Sequence, residues 1–282
     1  MGKTIFALSR TTGGKLFDSY IDYHRMIEMW NYPTCELNEI DYESDNTYIY
    51  SSPIGIPQQV FFHDAAKNRK CKLVMIFLEW PKWENGELLH LKGLADPVDE
   101  VWVCDKHLYD LWQMFEPQTI NKVRFMVMGG HPDFGVKPQD RKKSDYEWDC
   151  VHLMYLTGMR GFKFHVMRDE IGYSMAPTTY NDEARRNTLL NSEFGLNLHQ
   201  NPLPCISPQR FMVFASYCLP IITDFCENPY PYHVFNDALI HFDPRKTSVS
   251  NELLRNTATE YNRYMVTVKH NFKAEVERLT NG

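Results

Sequence analysis

The chain has 282 residues, of which 43% are hydrophobic, with a formal net charge of −6 at pH 7 and a sequence pI near 6.0. This length suits one large α/β domain or two domains of about 140 residues each, and the acidic balance gives no global field that would draw the chain to nucleic acid or anionic lipid. Because the first residues lack the apolar stretch of a signal peptide and no run reaches the ~18 apolar residues that span a bilayer, we expect a soluble, cytoplasmic protein.

Short apolar runs rich in Val, Ile and Phe alternate with helical patterns along the chain. This rhythm is typical of a mostly parallel sheet with helices on both faces. In the first half the runs predict strands at 4–8, 47–50, 73–78 and 100–104. In the second half they predict strands at 123–128, 162–167, 194–199, 220–223 and 238–242.

Two further patterns predict helices and a domain division. Ser144 and Glu147 form a capping box ahead of apolar residues at helical spacing, which predicts a helix over 145–158. The apolar residues of 251–279 lie roughly on one face and predict a long amphipathic C-terminal helix. The proline-containing stretch 116–122 predicts a boundary between two Rossmann-like α/β domains, 1–118 and 119–282.

The segment 191–224 carries the strongest functional pattern. Ser207 stands at an N-cap position, Pro208 suits the first helical residue, and Arg210 lies in the first turn. The N–H groups of a first turn have no partner within the helix and form an anion site. Since open α/β sheets hold phosphorylated ligands where a strand leads into such a helix, we expect a phosphorylated ligand here.

Other candidates follow the predicted strands, because chemistry in this architecture collects at the carboxyl ends of strands. In the first half, Glu79 and Asp105 are acid–base candidates, and Glu79 is favoured because burial beside Trp80 would raise its pKa. The loop SRTTGG lacks a dinucleotide or phosphate-loop pattern and is interpreted as a flexible acceptor loop. Its candidate contacts are Arg10, Thr11, Gly13 and Gly14.

In the second half the candidates are Gly129, Gly130, His131, His199, Asp224 and Glu227. Adjacent glycines allow a close approach to a ligand, but they are equally a turn pattern. His199 has a simpler alternative as a hydrogen-bonded core histidine, and Arg210 as half of a surface ion pair. Seven cysteines without C-x-x-C spacing indicate reduced, packed thiols, so no disulfide framework or zinc site is expected.

The run LNLHQNPLPCISPQRFMVFASYCLPIITD (196–224) resembles the nucleotide-binding segment of GT-B glycosyltransferases, most closely their CgeB-like branch. Its matching features are a strand ending in Leu-Asn-x-His, an Arg opening a helix, and a Pro before an apolar strand ending in Thr-Asp. The stretch 181–192 is similar to the helix that precedes that strand in the family. Only the alternating α/β pattern extends the resemblance to the rest of the chain.

The resemblance implies two Rossmann-like domains, with a nucleotide-diphosphate sugar held mainly by the C-terminal one and an acceptor by the N-terminal one. It implies no covalently bound cofactor, and it leaves metal dependence, sugar and stereochemistry open. Carried over to this chain, it places the donor diphosphate near Ser207 and Arg210, with His199 facing the same cleft. Gly129, Gly130, Asp224 and Glu227 complete the candidate donor site, and Glu79, His131 and Asp105 are the candidate catalytic residues.

The chain departs from the family pattern at three positions. Val213 and Ile221 stand where the wider family has two Glu residues, of which the first holds the nucleotide ribose. Asp224 or Glu227 could substitute for them. Cys218 replaces a Gly at the helix end.

Several alternatives for function stay open. The basic clusters at 67–72 and 141–143 are most simply interpreted as solvated turns. If both lay on one side of a cleft, they could bind a phosphate backbone, and the acceptor would then be a modified DNA base. A small carbohydrate, a lipid-linked sugar or a protein is the other acceptor class. The rival functions are a non-catalytic nucleotide-sugar binding or interaction protein, and a nucleotide-dependent oxidoreductase, which the missing glycine fingerprint disfavours.

Overall fold

Parallel strands with intervening helices form two separate sheets in the computed structural model. The structure describes residues 2–8, 21–52, 69–78, 83–84, 87–88, 95–137, 146–153, 156, 158–179, 181–198, 207–223, 239–241 and 257–282. The chain divides into two units, Met1–Met126 with Asn281–Gly282, and Val127–Thr280.

The first unit contains a six-stranded parallel sheet with the order β2-β1-β3-β4-β7-β8. Its strands are β1 (Thr4–Leu8), β2 (Thr34–Glu36), β3 (Thr47–Ser52), β4 (Lys72–Phe77), β7 (Glu100–Val103) and β8 (Val123–Phe125), and β5 (Trp83–Glu84) pairs separately with β6 (Glu87–Leu88). The helices are α1 (Ile21–Met29), α2 (Lys106–Phe115) and two 3₁₀ helices, Leu37–Glu39 and Pro117–Lys122. Five of the six residues of β4 are buried, as expected for a central parallel strand covered on both faces.

The second unit contains a four-stranded parallel sheet with the order β12-β11-β10-β9. Its strands are β9 (Trp148–His152), β10 (Ser192–Asn197), β11 (Ile221–Thr223) and β12 (Leu239–His241). Its helices are α3 (Gly158–His165), α4 (Asp182–Leu190), α5 (Pro208–Ser216), α6 (Thr257–Tyr264) and α7 (Phe272–Asn281), and π-helical turns follow α3 at Val166–Glu170 and α6 at Met265–Lys269. The α/β class with mostly parallel sheets is therefore confirmed.

The strand predicted at 162–167 is wrong, because this segment forms α3 and the π-helical turn. The alternation of Phe162, Phe164 and Val166 suggested a strand, but Phe162 is 63% exposed. The buried residues Arg160, Phe164 and Met167 instead recur at helical spacing.

The helix predicted over 145–158 is also wrong, because its first half is strand β9. The backbone N–H groups of Glu147 and Trp148 both donate to Asn191 O, so the capping-box geometry does not form. The strand is held on both edges: it pairs with β10, and Cys150 bridges to Met175 on the other side. Pairing within the sheet thus overrides a local helix-start pattern.

The domain boundary differs from the predicted one at residue 118. The predicted boundary places β8 in the second domain, but this strand pairs with β7 in the first sheet. The division between the two units falls between Met126 and Val127. The proline-containing stretch is a 3₁₀ helix anchored to α2, since Trp112 Nε1 donates to Thr119 Oγ1 at 2.9 Å. The proline therefore marks a turn within a unit.

The C-terminal helical segment is confirmed and has a break within it. The second helix, α7, begins after Asn271, whose side-chain Oδ1 accepts from Ala274 N at 2.9 Å. An Asn at this position offers the cap that starts a new helix.

Candidate functional site

The carboxyl ends of β9 and β10 lie side by side in the second unit, next to the start of α5. In the parallel register His152 is opposite Leu196, so the two strands end at the same level. Helix α5 begins at Pro208 as predicted, with Ser207 as its extended N-cap residue. The Ser207 hydroxyl makes no cap hydrogen bond. This end of the helix therefore has the geometry of an anion site.

Two arginines from different helices converge on one backbone carbonyl at this edge of the sheet. Arg210 Nη1, from the first turn of α5, donates to Leu198 O at 2.8 Å, and Arg160 Nε, from α3, donates to the same oxygen at 3.0 Å. Their side chains belong to residues only 6% and 8% exposed. A guanidinium has five N–H donors, so each can contact Leu198 and a bound anion together.

A third buried arginine joins them from α4. Arg185 is buried, and its Nη1 reaches Thr179 O at 3.4 Å. We call Arg160, Arg185 and Arg210 the arginine cluster. Planar guanidinium groups suit the oxygens of phosphate, so this cluster is a candidate site for a phosphate-bearing anion.

His152 lies at the end of β9 within reach of the charge of this cluster. It is 2% exposed, its ring edge packs against Phe164 with 5.6 Å between ring centroids, and neither ring nitrogen has a hydrogen-bond partner. Burial, and then the charges of Arg210, Arg160 and Arg185, lower the pKa of His152 to about 3. The ring is therefore neutral near physiological pH.

Tight packing between α5 and β10 fixes the position of Arg210. A Cβ on Gly195 of β10 would lie 2.5 Å from ring atoms of Phe214, so the helix approaches the strand more closely than any side chain at 195 would allow. At the strand end, Asn197 Nδ2 donates to Thr223 Oγ1 at 2.8 Å and so ties β10 to β11.

Local sequence patterns indicated Arg210 but not Arg160, Arg185 or His152. His152 lies in a segment that is wrongly predicted as a helix, and Arg160 lies just before one wrongly predicted as a strand, so their approach to the end of β10 was not foreseen. One sequence pattern could have indicated His152, since this polar residue ends the apolar run CVH. The other candidates were selected by the same rule, that functional residues follow the carboxyl ends of strands.

Gly129 and Gly130 lie where the chain enters the second unit, packed against its C-terminal segment. A Cβ on Gly129 would lie 1.7 Å from His270 O, which only glycine permits. Gly130 N donates to Val266 O at 2.7 Å, and Gly130 O accepts from Phe272 N at 3.1 Å. Close backbone packing therefore accounts for the glycine pair.

His131 follows this pair and is held by the next turn. Its Nδ1 accepts from Asp133 N at 3.0 Å, and burial lowers its pKa, with Asp133 opposing that shift. Because Nδ1 uses its lone pair as an acceptor, a neutral ring carries its proton on Nε2. Nε2 of the neutral ring is then a donor and not a base.

Asp105 lies in the first unit as the N-cap residue of α2. Its Oδ1 accepts from Leu108 N at 3.0 Å, and the residue is buried. A cap accounts for this carboxylate without a ligand. The remaining predicted site residues lie outside the described residues: Arg10, Thr11, Gly13, Gly14, Glu79, His199, Asp224 and Glu227.

The three departures from the family pattern have clear structural positions. Val213 and Ile221 are fully buried, on α5 and β11. Cys218 follows α5 with a φ of 55°, the left-handed conformation that glycine adopts most easily. A Gly at this position in the family is therefore explained by the backbone.

The described part of the basic cluster at 67–72 is matched by carboxylates. Arg69 pairs with Asp99 at 2.9 Å, Lys70 with Glu43 at 3.2 Å and Lys72 with Glu100 at 2.7 Å. These cations therefore do not form an uncompensated surface for a phosphate backbone. The cluster at 141–143 lies outside the described residues.

The described residues contain no metal-binding group and no membrane-spanning helix. In the part of the chain that the structure covers, no group of three or more His, Cys, Asp or Glu side chains is placed to hold a metal ion. None of the helices described above has the length and apolar content that crossing a membrane requires.

Comparison with known proteins gives structural relatives only. No protein-family model matches the chain, and no curated protein matches it in sequence. A glycosyltransferase from Rickettsia africae ESF-5 matches with a TM-score of 0.55 at 11% identity, covering 99% of this chain and 97% of that one. An alpha-glucosyltransferase in complex with UDP and a 13-mer DNA containing an HMU base matches with a TM-score of 0.59 at 10% identity, covering 99% and 98%. The chain therefore has the GT-B-like fold of glycosyltransferases.

Proposed function

We propose that the protein transfers a sugar from a nucleotide-diphosphate sugar to a hydroxyl acceptor, with the donor diphosphate held by the arginine cluster. The observation that carries this proposal is the convergence of Arg160 and Arg210 on Leu198 O beside the start of α5. Two buried guanidinium groups and a helix N-terminus meet there at the carboxyl edge of a parallel sheet. That edge is where α/β folds hold phosphorylated ligands.

The chemistry of sugar transfer matches this arrangement. The bond between the anomeric carbon and the diphosphate oxygen breaks, and the acceptor oxygen forms a new bond to that carbon. The departing diphosphate gains negative charge, which the arginines and the first-turn N–H groups stabilise without reorganising. Ser207, whose hydroxyl makes no cap hydrogen bond, is a further proposed donor to the phosphate.

The remaining donor and acceptor contacts stay as predicted from the sequence. We propose His199, Asp224 and Glu227 for the donor, with a carboxylate among them contacting the ribose in place of Val213 and Ile221. Gly129 and Gly130 stay proposed donor contacts, but close backbone packing already accounts for both. Arg10, Thr11, Gly13 and Gly14 are the proposed acceptor loop.

A base must accept the proton of the attacking hydroxyl group. Glu79 is our first proposal for this role, and Asp105 and His131 follow it. Asp105 already caps α2, and the neutral His131 ring holds its proton on Nε2, so both are less suited as bases.

Hydroxymethyl pyrimidine in DNA is the acceptor that we propose to test first. The support is the likeness to a glucosyltransferase whose structure contains UDP and DNA with an HMU base. The net charge of −6 and the carboxylates paired with Arg69, Lys70 and Lys72 weigh against a broad DNA surface. Small carbohydrates are therefore included as the second acceptor class.

The test of the donor site is calorimetric titration with nucleoside diphosphates and their sugars. We expect Arg210→Lys and Arg160→Lys each to weaken binding at least tenfold, about 1.4 kcal/mol, because lysine keeps the charge but loses the planar fork. Arg186→Lys, on the exposed side of α4, is the matched control. Unchanged affinity in folded Arg210→Lys and Arg160→Lys proteins would contradict the proposal.

The test of activity is product analysis by mass spectrometry. The wild-type protein is incubated with the donor that binds and with oligonucleotides that contain or lack hydroxymethyl pyrimidine, and separately with simple sugars. A mass gain of one sugar residue, or slow hydrolysis of the donor, excludes the non-catalytic binding protein. Binding of a donor without either outcome assigns the chain to that alternative.

A further inference from the structure

We propose that His152 takes up a proton from solvent when the donor diphosphate binds the arginine cluster, so that anion and proton enter the buried site together. This inference rests on the proposed function, because it requires an anion at the carboxyl edge of the second sheet. It adds a residue and a pH dependence that the family resemblance does not contain.

The imidazole of His152 is buried without a hydrogen bond. His152 is 2% exposed, and within the part of the chain that the structure describes neither Nδ1 nor Nε2 has a hydrogen-bond partner. A buried polar group without a partner is unfavourable, and it is rare in folded proteins. An anion bound beside the ring supplies an acceptor for an N–H group and removes that cost.

Charged side chains surround the ring on three helices. Among the described residues, the charged groups that lower the pKa of His152 are Arg160 from α3, Arg185 from α4 and Arg210 from α5. Its neighbours on the same face of the sheet and on α3, Leu196 and Phe164, are apolar. Burial first, and then these cationic groups, keep the imidazole neutral when no anion is bound.

Binding of a diphosphate weakens the cationic field at the ring. A nucleotide sugar brings two negative charges that do not titrate in this pH range, and they offset the field of the three guanidinium groups at the ring. A proton from solvent then adds to one ring nitrogen, giving an imidazolium with an N–H on each nitrogen. No bond of the donor changes in this step.

The predicted consequence follows from linkage between the two ligands. Between the pKa of His152 in the free protein and its higher value in the complex, each unit of falling pH strengthens anion binding by up to tenfold. Above that window, affinity is independent of the protonation of His152.

The experiment is an NMR titration of the histidine rings with and without sulfate, and separately with UDP-glucose. Sulfate is a divalent anion that does not titrate in this range, so it tests the coupling without nucleotide or sugar. The chain has 11 histidines, and His152→Gln assigns the resonance. We expect the titration midpoint of His152 to rise by more than one pH unit when either anion binds.

Affinity measurements supply the matched comparison. We expect the Kd of UDP-glucose to decrease as the pH is lowered in the wild type, and to be independent of pH in His152→Gln. His165 is an exposed histidine of α3, so His165→Gln should show the same pH dependence as the wild type. If His152→Gln fails to fold, assignment by ring contacts to Phe164 in the wild type serves the same NMR test.

The outcomes separate the two proposals. If sulfate shifts the His152 midpoint but no nucleotide sugar binds, the coupling stands and the proposed function fails. If a nucleotide sugar binds with the His152 midpoint unmoved, the coupling is overturned and the proposed function stands. If neither anion binds, both are overturned.

Discussion

Acidification is expected to destabilise the free protein through His152. The pKa of this residue is lowered from its ordinary value of 6.5 to about 3 in the folded state, by burial first and then by the arginine cluster. As the pH falls below 6.5, the unfolded chain binds a proton that the folded chain does not bind. The stability that the neutral ring provides is thus complete above pH 6.5 and is lost toward pH 3.

The size of the effect follows from the two pKa values. One pKa unit corresponds to about 1.4 kcal/mol, so acidification from pH 6.5 to about pH 5 lowers the free energy of unfolding by roughly 2 kcal/mol. The ring is 2% exposed, so solvent screening reduces this figure little. A loss of this size is a large fraction of the stability of a typical domain.

The assay is urea unfolding followed by tryptophan fluorescence at several pH values. His152→Gln replaces the imidazole with a polar group that does not titrate, and His165→Gln is the exposed control on the same unit. We expect the wild type and the control to lose stability in parallel as the pH falls, with a shallower slope for His152→Gln. Equal slopes for all three proteins would show that burial and the arginine cluster do not hold His152 neutral in the folded state.

Three further predictions test packing around the two units. Gly129→Ala places a Cβ where His270 O lies 1.7 Å away, so we expect a loss of at least about 2 kcal/mol in chemical unfolding; an unchanged midpoint would show that this segment moves freely. Cys218 has a φ of 55°, so Cys218→Gly should be more stable than Cys218→Ala by about 0.5–1 kcal/mol in thermal unfolding, and the reverse order would refute the backbone argument. Thr119→Val leaves the buried Trp112 indole N–H without its acceptor and should cost about 1–3 kcal/mol, whereas Thr119→Ser, which keeps the hydroxyl, should cost less by the same urea assay.

The parts of the fold that were predicted correctly depend on local chemistry. Apolar runs such as KLVMIF require burial on both faces, so they indicate central parallel strands wherever the chain places them. The start of α5 was predicted because Ser207 and Pro208 carry their backbone preferences within the segment itself. Arg210 was identified for the same reason, since it lies in the first turn of that helix.

The errors fell where two local patterns competed. Residues 148–152 follow the sequence pattern of a capping box, but they form a strand. The reason is that β10 and Met175 supply backbone partners from distant parts of the chain. Residues 162–167 alternate like a strand but form a helix, because the surface that buries Arg160, Phe164 and Met167 has helical spacing. Periodicity over a few residues does not distinguish these cases.

Local sequence patterns predict the α/β class, the parallel strands and the start of α5, because each depends on residues within one segment. Only the tertiary structure brought Arg160, Arg185 and His152 to the end of β10, since these residues come from three other elements of the chain. The buried positive charge that would suit a diphosphate arises only when these elements pack at the edge of the sheet. No single segment of the chain contains all of these residues.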